Sequence, residues 1–203
     1  MPLWGTTHDS AANKPKWLPD SADSPYDKTK VYATESGWVA RGAATGNGNV
    51  NADPEILVAL GGLAGATAAT GLKHPTMTNH RIVTSADHGT SNNIVFEITY
   101  DESVTYEAGS ATTLVLTAGA GGNRTATLTH VNGVALVDGS AGNVLRFTAT
   151  SAQATTYDLA NNVQMGNHAD LSDTITGTAL ENASGKFTSA VKTAIGYSQI
   201  TIA

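Results

Sequence analysis

The chain contains no cysteine. Disulfides, thiolate metal sites and cysteine nucleophiles are therefore excluded. The absence fits assembly in a reducing cytoplasm. Charge is also scarce, at 14% of residues, so the surface must be built largely from Thr, Ser, Asn and Gly. Lys and Arg are the scarcer sign, and the net charge is −6. Residues 1–50 carry five basic and five acidic groups, whereas residues 51–203 carry six basic and twelve acidic ones. Nothing in the linear sequence gathers enough cations to displace counterions from a nucleic acid, so no nucleic-acid partner is expected. Long apolar runs are missing too. Ile56-Leu-Val-Ala-Leu-Gly-Gly-Leu-Ala-Gly-Ala is too short and too glycine-rich to span a bilayer, and no positive leader precedes an apolar stretch. Neither a membrane partner nor a secretory signal is expected.

The chemistry-bearing motifs are equally sparse. His8, His74, His80, His88, His130 and His168 show no metal-ligand spacing, and there is no HExxH. Oxygen ligands for calcium exist at Asp87, Asp101 and Glu102, but no EF-hand loop surrounds them. No G-x-S-x-G elbow or P-loop is present. These readings lead to an expectation of no enzyme, no cofactor and no metal.

What the sequence does contain is threonine, glycine and short alternating strands. Ile94, Phe96, Ile98 and Tyr100 share one face, with Glu97 and Thr99 opposite. Asp101-Glu-Ser reads as a turn, followed by a short strand Val104-Thr-Tyr. Strands are predicted at 112–117, at 124–131 across a glycine-rich hairpin, at 144–150, at 174–180 and at 197–202. Leu145 and Phe147 point inward and Arg146 outward. Upstream, residues 30–41 read as a short strand or a hairpin through Glu35–Gly37, and a strand begins at Asp53. The stretch 63–72 is either a weak helix or an extended linker. A short helix or a loop is expected within 185–195. The expected architecture is an all-β, antiparallel sandwich with an extended N-terminal arm. It divides into an arm at 1–50, a connecting strand and linker at 51–80, and a sandwich at 81–203.

The arm holds the most unusual feature. All three tryptophans, Trp4, Trp17 and Trp38, lie in the first 38 residues. Pro2, Pro15, Pro19 and Pro25 break any periodicity around them. Large aromatics on a proline-stiffened segment suit an anchor that docks into a groove. The expected partner-binding residues are Trp4, Lys14, Lys16, Trp17 and Leu18, while Trp38, in a predicted strand, is assigned to the core.

Two resemblances add to this reading. Phe96-Glu-Ile-Thr-Tyr-Asp-Glu-Ser-Val-Thr, Leu114-Val-Leu, Gly121-Gly-Asn-Arg-Thr-Ala-Thr-Leu and Asn143-Val-Leu-Arg-Phe make residues 94–150 similar to bacterial Ig-like modules. That resemblance implies an Ig-like scaffold and carries no catalytic residue. Trp4-Gly-Thr-Thr, Asn13-Lys-Pro-Lys-Trp-Leu, Val31-Tyr-Ala and Gly37-Trp-Val resemble the opening of small virion structural proteins of tailed phages, notably of marine bacteria. It implies a virion component assembled in the host cytoplasm. The foremost expectation is a capsid decoration or cement protein bound to the major capsid protein, with self-association open. The alternatives are a neck, tail or baseplate protein, or an adhesive Ig-like module binding host-surface carbohydrate through Tyr106 and Tyr157.

Overall fold

The computed structural model describes residues 18–19, 24, 26–42, 49, 51–68, 72–84, 93–107, 109–149 and 153–202. Their elements are β1 (Val31–Thr34), β2 (Gly37–Ala40), β3 (Glu55–Ala59), β4 (Met77–Ile82), β5 (Ile94–Tyr106), β6 (Thr113–Ala118), β7 (Arg124–Val131) and β8 (Val134–Ala135). They continue with β9 (Ala141–Ala149), β10 (Thr155–Asp158), β11 (Val163–Gln164), β12 (Leu171–Asp173), β13 (Lys186–Phe187), the helix α1 (Ser189–Ala194) and β14 (Ile200–Ile202). With 47% strand and 8% helix, the fold is all-β.

One curled, mixed sheet organises the chain. Its path runs β14, β10, β6, β7, β9, β5, β1, β2, β3, with β4 and β12 also paired to β5. The succession β14-β10-β6-β7-β9-β5-β4 is antiparallel throughout. The expectation of a wholly antiparallel sheet is corrected at one place: β1 runs parallel to β5, at the pair Ala33–Glu102.

The main core follows from the alternation in β5 and its neighbours. Ile94, Phe96, Ile98 and Tyr100 are fully buried. Phe96 lies opposite Phe147 on β9, and the two rings stack at 5.6 Å between centroids. Such pairs add to what area burial alone contributes. The Tyr100 hydroxyl donates to the Ser184 carbonyl at 2.9 Å, which satisfies its one polar atom in the core. The α1 helix begins at Thr188, whose side chain accepts from the Val191 N–H, a normal N-cap.

The predicted turn at Asp101-Glu-Ser is instead continuous strand. Between Thr99 and Val104 the β5–β9 register shifts, so the residues form a bulge within β5. A second correction concerns 174–180, which is not a strand. Asp173 ends β12, and its Oδ1 accepts from the Ile175 and Thr176 N–H groups, closing a turn.

A second, smaller core sits beyond the parallel joint. Leu18, Val31, Ala33, Trp38, Ala40, Leu63, Ala64 and Leu72 are buried together, with Leu57, Val58 and Ile175 packed against them. Among its described residues the stretch 63–72 is neither a helix nor an extended linker: it bends and turns, with the Ala68 N–H on the Gly65 carbonyl, the Gly65 N–H on the Leu72 carbonyl and an isolated bridge between Ala64 and Leu72. Strands from 31–59 therefore hydrogen-bond into the same sheet as strands from 81–203, and β4 pairs with β5 across residue 80.

Candidate functional site

The end of the sheet that carries β1–β3 brings the sequence-derived candidates into view. Trp38, on β2, is 1% exposed and belongs to the second core, as expected of it. Leu18 is 5% exposed in the same cluster, so its side chain is committed to this chain's own core rather than offered to a partner. Trp4, Lys14, Lys16 and Trp17 lie outside the described residues. Leu18 therefore shares one apolar cluster with Trp38.

The same end leaves an open strand edge. β3 pairs with β2 on one side, with Trp38 opposite Val58, and no strand pairs its other side among the described residues. Ile56 is 55% and Leu60 40% exposed. An apolar edge of this kind presents unpaired backbone groups to another chain. Gly37 fixes how close β3 lies. Its φ is +132°, and a β-carbon there would stand 2.0 Å from the Val58 carbonyl oxygen.

Elsewhere the structure disperses the described candidates, while His8, Asp87 and His88 lie outside the described residues. His74 meets Glu181 at 3.3 Å on the surface, His130 contacts the Thr129 hydroxyl, and His168 lies in a short 3-10 turn. His80 is buried between Phe96 and Tyr197, with ring centroids at 5.8 and 4.7 Å. Neither of its ring nitrogens has a hydrogen-bond partner, and burial lowers its pKa to about 4. It is a neutral packing ring at pH 7. Among the described residues, no three His, Asp or Glu side chains gather to hold a metal ion. Tyr106 and Tyr157, expected as exposed platforms for sugar, are 8% and 0% exposed and belong to the main core.

The acidic residues of the β5 bulge are buried instead of turned to water. Asp101 and Glu102 are both fully buried. Asp101 Oδ1 accepts from the Thr76 N–H at 2.7 Å. Neither oxygen of Glu102 has a hydrogen-bond partner. Desolvation, then the neighbouring charges of Asp101 and Asp173, push its pKa up to about 9, so Glu102 is a neutral acid at pH 7. Sequence reasoning missed this because Asp-Glu-Ser is turn composition, and only long-range pairing, with β1 and with β12, surrounds it.

No protein-family model, curated protein or solved structure matches this chain.

Proposed function

We propose that this chain is a non-enzymatic structural protein of a tailed-phage particle, in the first place a capsid decoration protein held on the major capsid protein by its N-terminal arm. The observation that carries the reading is the seating of Leu18 beside Trp38, at the end of the sheet where β3 is open. Arm root and free apolar edge share one end of the molecule, which leaves the rest of the sheet to face outward. Trp4, Lys14, Lys16 and Trp17 are the arm residues assigned to the partner surface, with Leu18 as the pivot that holds the arm to the body. The body is read as an Ig-like sandwich, supported by the seven-strand antiparallel run from β14 to β4 and by the resemblance of residues 94–150.

The test uses purified shells that lack the protein. The full chain should bind them saturably. A chain lacking residues 1–17, which keeps Leu18, should lose most of that affinity, as should a Trp4→Ala, Trp17→Ala double variant. Full affinity in both variants would overturn the arm reading. Immunogold labelling of intact particles then separates a shell position from a neck, tail or baseplate one.

A further inference from the structure

Three of the chain's four arginines converge on one groove. Arg81 on β4, Glu97 on β5 and Arg146 on β9 are direct cross-strand neighbours in one row. Glu97 is 5% exposed, and both its oxygens are engaged. Oε2 accepts from Arg81 Nε at 3.1 Å and Nη2 at 2.5 Å. Oε1 accepts from Arg146 Nε at 2.9 Å and Nη2 at 2.7 Å. One carboxylate thus serves two guanidiniums, and each guanidinium has five donors.

Arg41, which follows β2, is the third. Its Nε is buried without a hydrogen-bond partner. Desolvation lowers its pKa, opposed by Glu97, Tyr32 and Asp27, while Arg81 lowers it further. Lys30 lines the same pocket and donates to the Ser24 carbonyl at 2.6 Å. Asp27 Oδ1 already receives the Thr29 N–H and hydroxyl. Among the described residues, three guanidiniums line this pocket with one carboxylate, Glu97, in a chain whose net charge is −6. The ion pairs of the buried Glu97 account for Arg81 and Arg146. They do not account for the buried, unpaired donor of Arg41.

The arginine pocket, about 150 Å³, shares Arg41, Asn132 and Gly133 with a neighbouring hollow of about 520 Å³. That hollow is walled by Tyr32, Pro54, Val131 and Val134, with Asn132 on its rim. Its size is that of a small-molecule site, and it joins an apolar wall to a few polar groups. We propose that the groove binds an acidic saccharide, with a uronate carboxylate at Arg41, Arg81 and Arg146 and the sugar ring against Tyr32 and Val134. A guanidinium fork matches a carboxylate in shape and charge. A pyranose has apolar C–H faces and hydroxylated edges, which fit a tyrosine ring and a valine wall rimmed by an asparagine. A free phosphate would fill the small pocket and leave the larger hollow unused.

This inference is independent of where the protein sits on a particle, and its test needs no particle. The full chain is titrated, with backbone amide resonances followed by NMR, against tetragalacturonate, its fully methyl-esterified form and inorganic phosphate. Tetragalacturonate alone should bind, moving resonances of Tyr32, Arg41 and Asn132. Arg41→Met should weaken binding at least tenfold. Val134→Asp, a change at an exposed wall residue that leaves the core untouched, should also weaken it and keeps the test valid if the arginine variant folds poorly. Equal binding of the methyl ester would overturn the role of the arginines. Phosphate binding as tight as the saccharide would overturn the saccharide assignment, and absence of any binding would overturn the site.

Discussion

Replacing Glu102 with glutamine should flatten the dependence of stability on pH above neutrality. Glu102 is fully buried, both its oxygens lack partners, and its pKa is raised to about 9 from a starting value of 4.5. In the unfolded chain the group ionises near its ordinary value. Between the two values the unfolded state has released a proton that the folded state still holds. Stability therefore falls as pH rises, the reverse of the usual salt-bridged carboxylate, at about 1.4 kcal/mol per pH unit for one such group. From pH 6.5 to 8.5 the wild type should lose about 2–3 kcal/mol from this residue alone. In urea, that is a midpoint shift of about 1 M or more for a protein with a typical denaturant slope. A glutamine side chain at this position has the same shape and no proton to lose, so the variant's midpoint should stay level across the window. His80 does not interfere, because it is neutral in both states over most of this range. Urea unfolding at pH 6.5, 7.5 and 8.5, wild type beside Glu102→Gln, is sufficient. Parallel midpoints in the two proteins would refute the reasoning, and would mean that water or a cation reaches Glu102.

Acid should act through His80 with the opposite sign. Its lowered pKa, about 4 against 6.5, contributes stability present above pH 6.5 and lost as pH falls toward 4, amounting to about 3 kcal/mol. Thermal melts across that range should show the loss in the wild type and a smaller one in His80→Phe. Phe147→Ala removes one ring of the stacked pair in the main core and should cost about 3–5 kcal/mol by urea denaturation. Gly37→Ala must push β3 away from β2, because a β-carbon would collide with the Val58 carbonyl oxygen. Hydrogen exchange should speed up at the β2–β3 amides and stay unchanged in β7.

The strands with strong alternation were readable because each needs only its own sequence to announce a buried face. Arg124–Val131 matches β7 end to end, and the hairpin through Glu35–Gly37 is present as β1 and β2. β4 was not readable. Met77-Thr-Asn-His-Arg-Ile looks polar, yet its place in the sheet is set from far away, with the His80 N–H on the Ile195 carbonyl, the His80 ring packed against Phe96 and Tyr197, and Arg81 on Glu97. The arginine groove was hidden for the same reason. The outward positions of Glu97 and Arg146 were evident from alternation, but their adjacency depends on the β5–β9 register, and Arg41 arrives only through β1. The 174–180 segment shows the reverse error. Its Thr-rich alternation suits a strand, but the Asp173 carboxylate closes a turn before a ladder can form.

The parallel joint also sets an order of assembly. β1, β2 and β3 pair with near neighbours in the chain and make local contacts that form early. Their small core, however, includes Ile175, and their link to β5 is the one register pair at Ala33 and Glu102. The chain must fold through β5 and reach the turn after β12 before that pocket around Trp38 is complete. The meander should therefore dock as a late, separately opening unit, with amides that exchange at a lower free energy than those of β5 and β9. A protein built this way can have β5 and its antiparallel neighbours in place while the β1–β3 end is still unfastened, and any ligand that binds only the closed form would supply part of the energy that closes it.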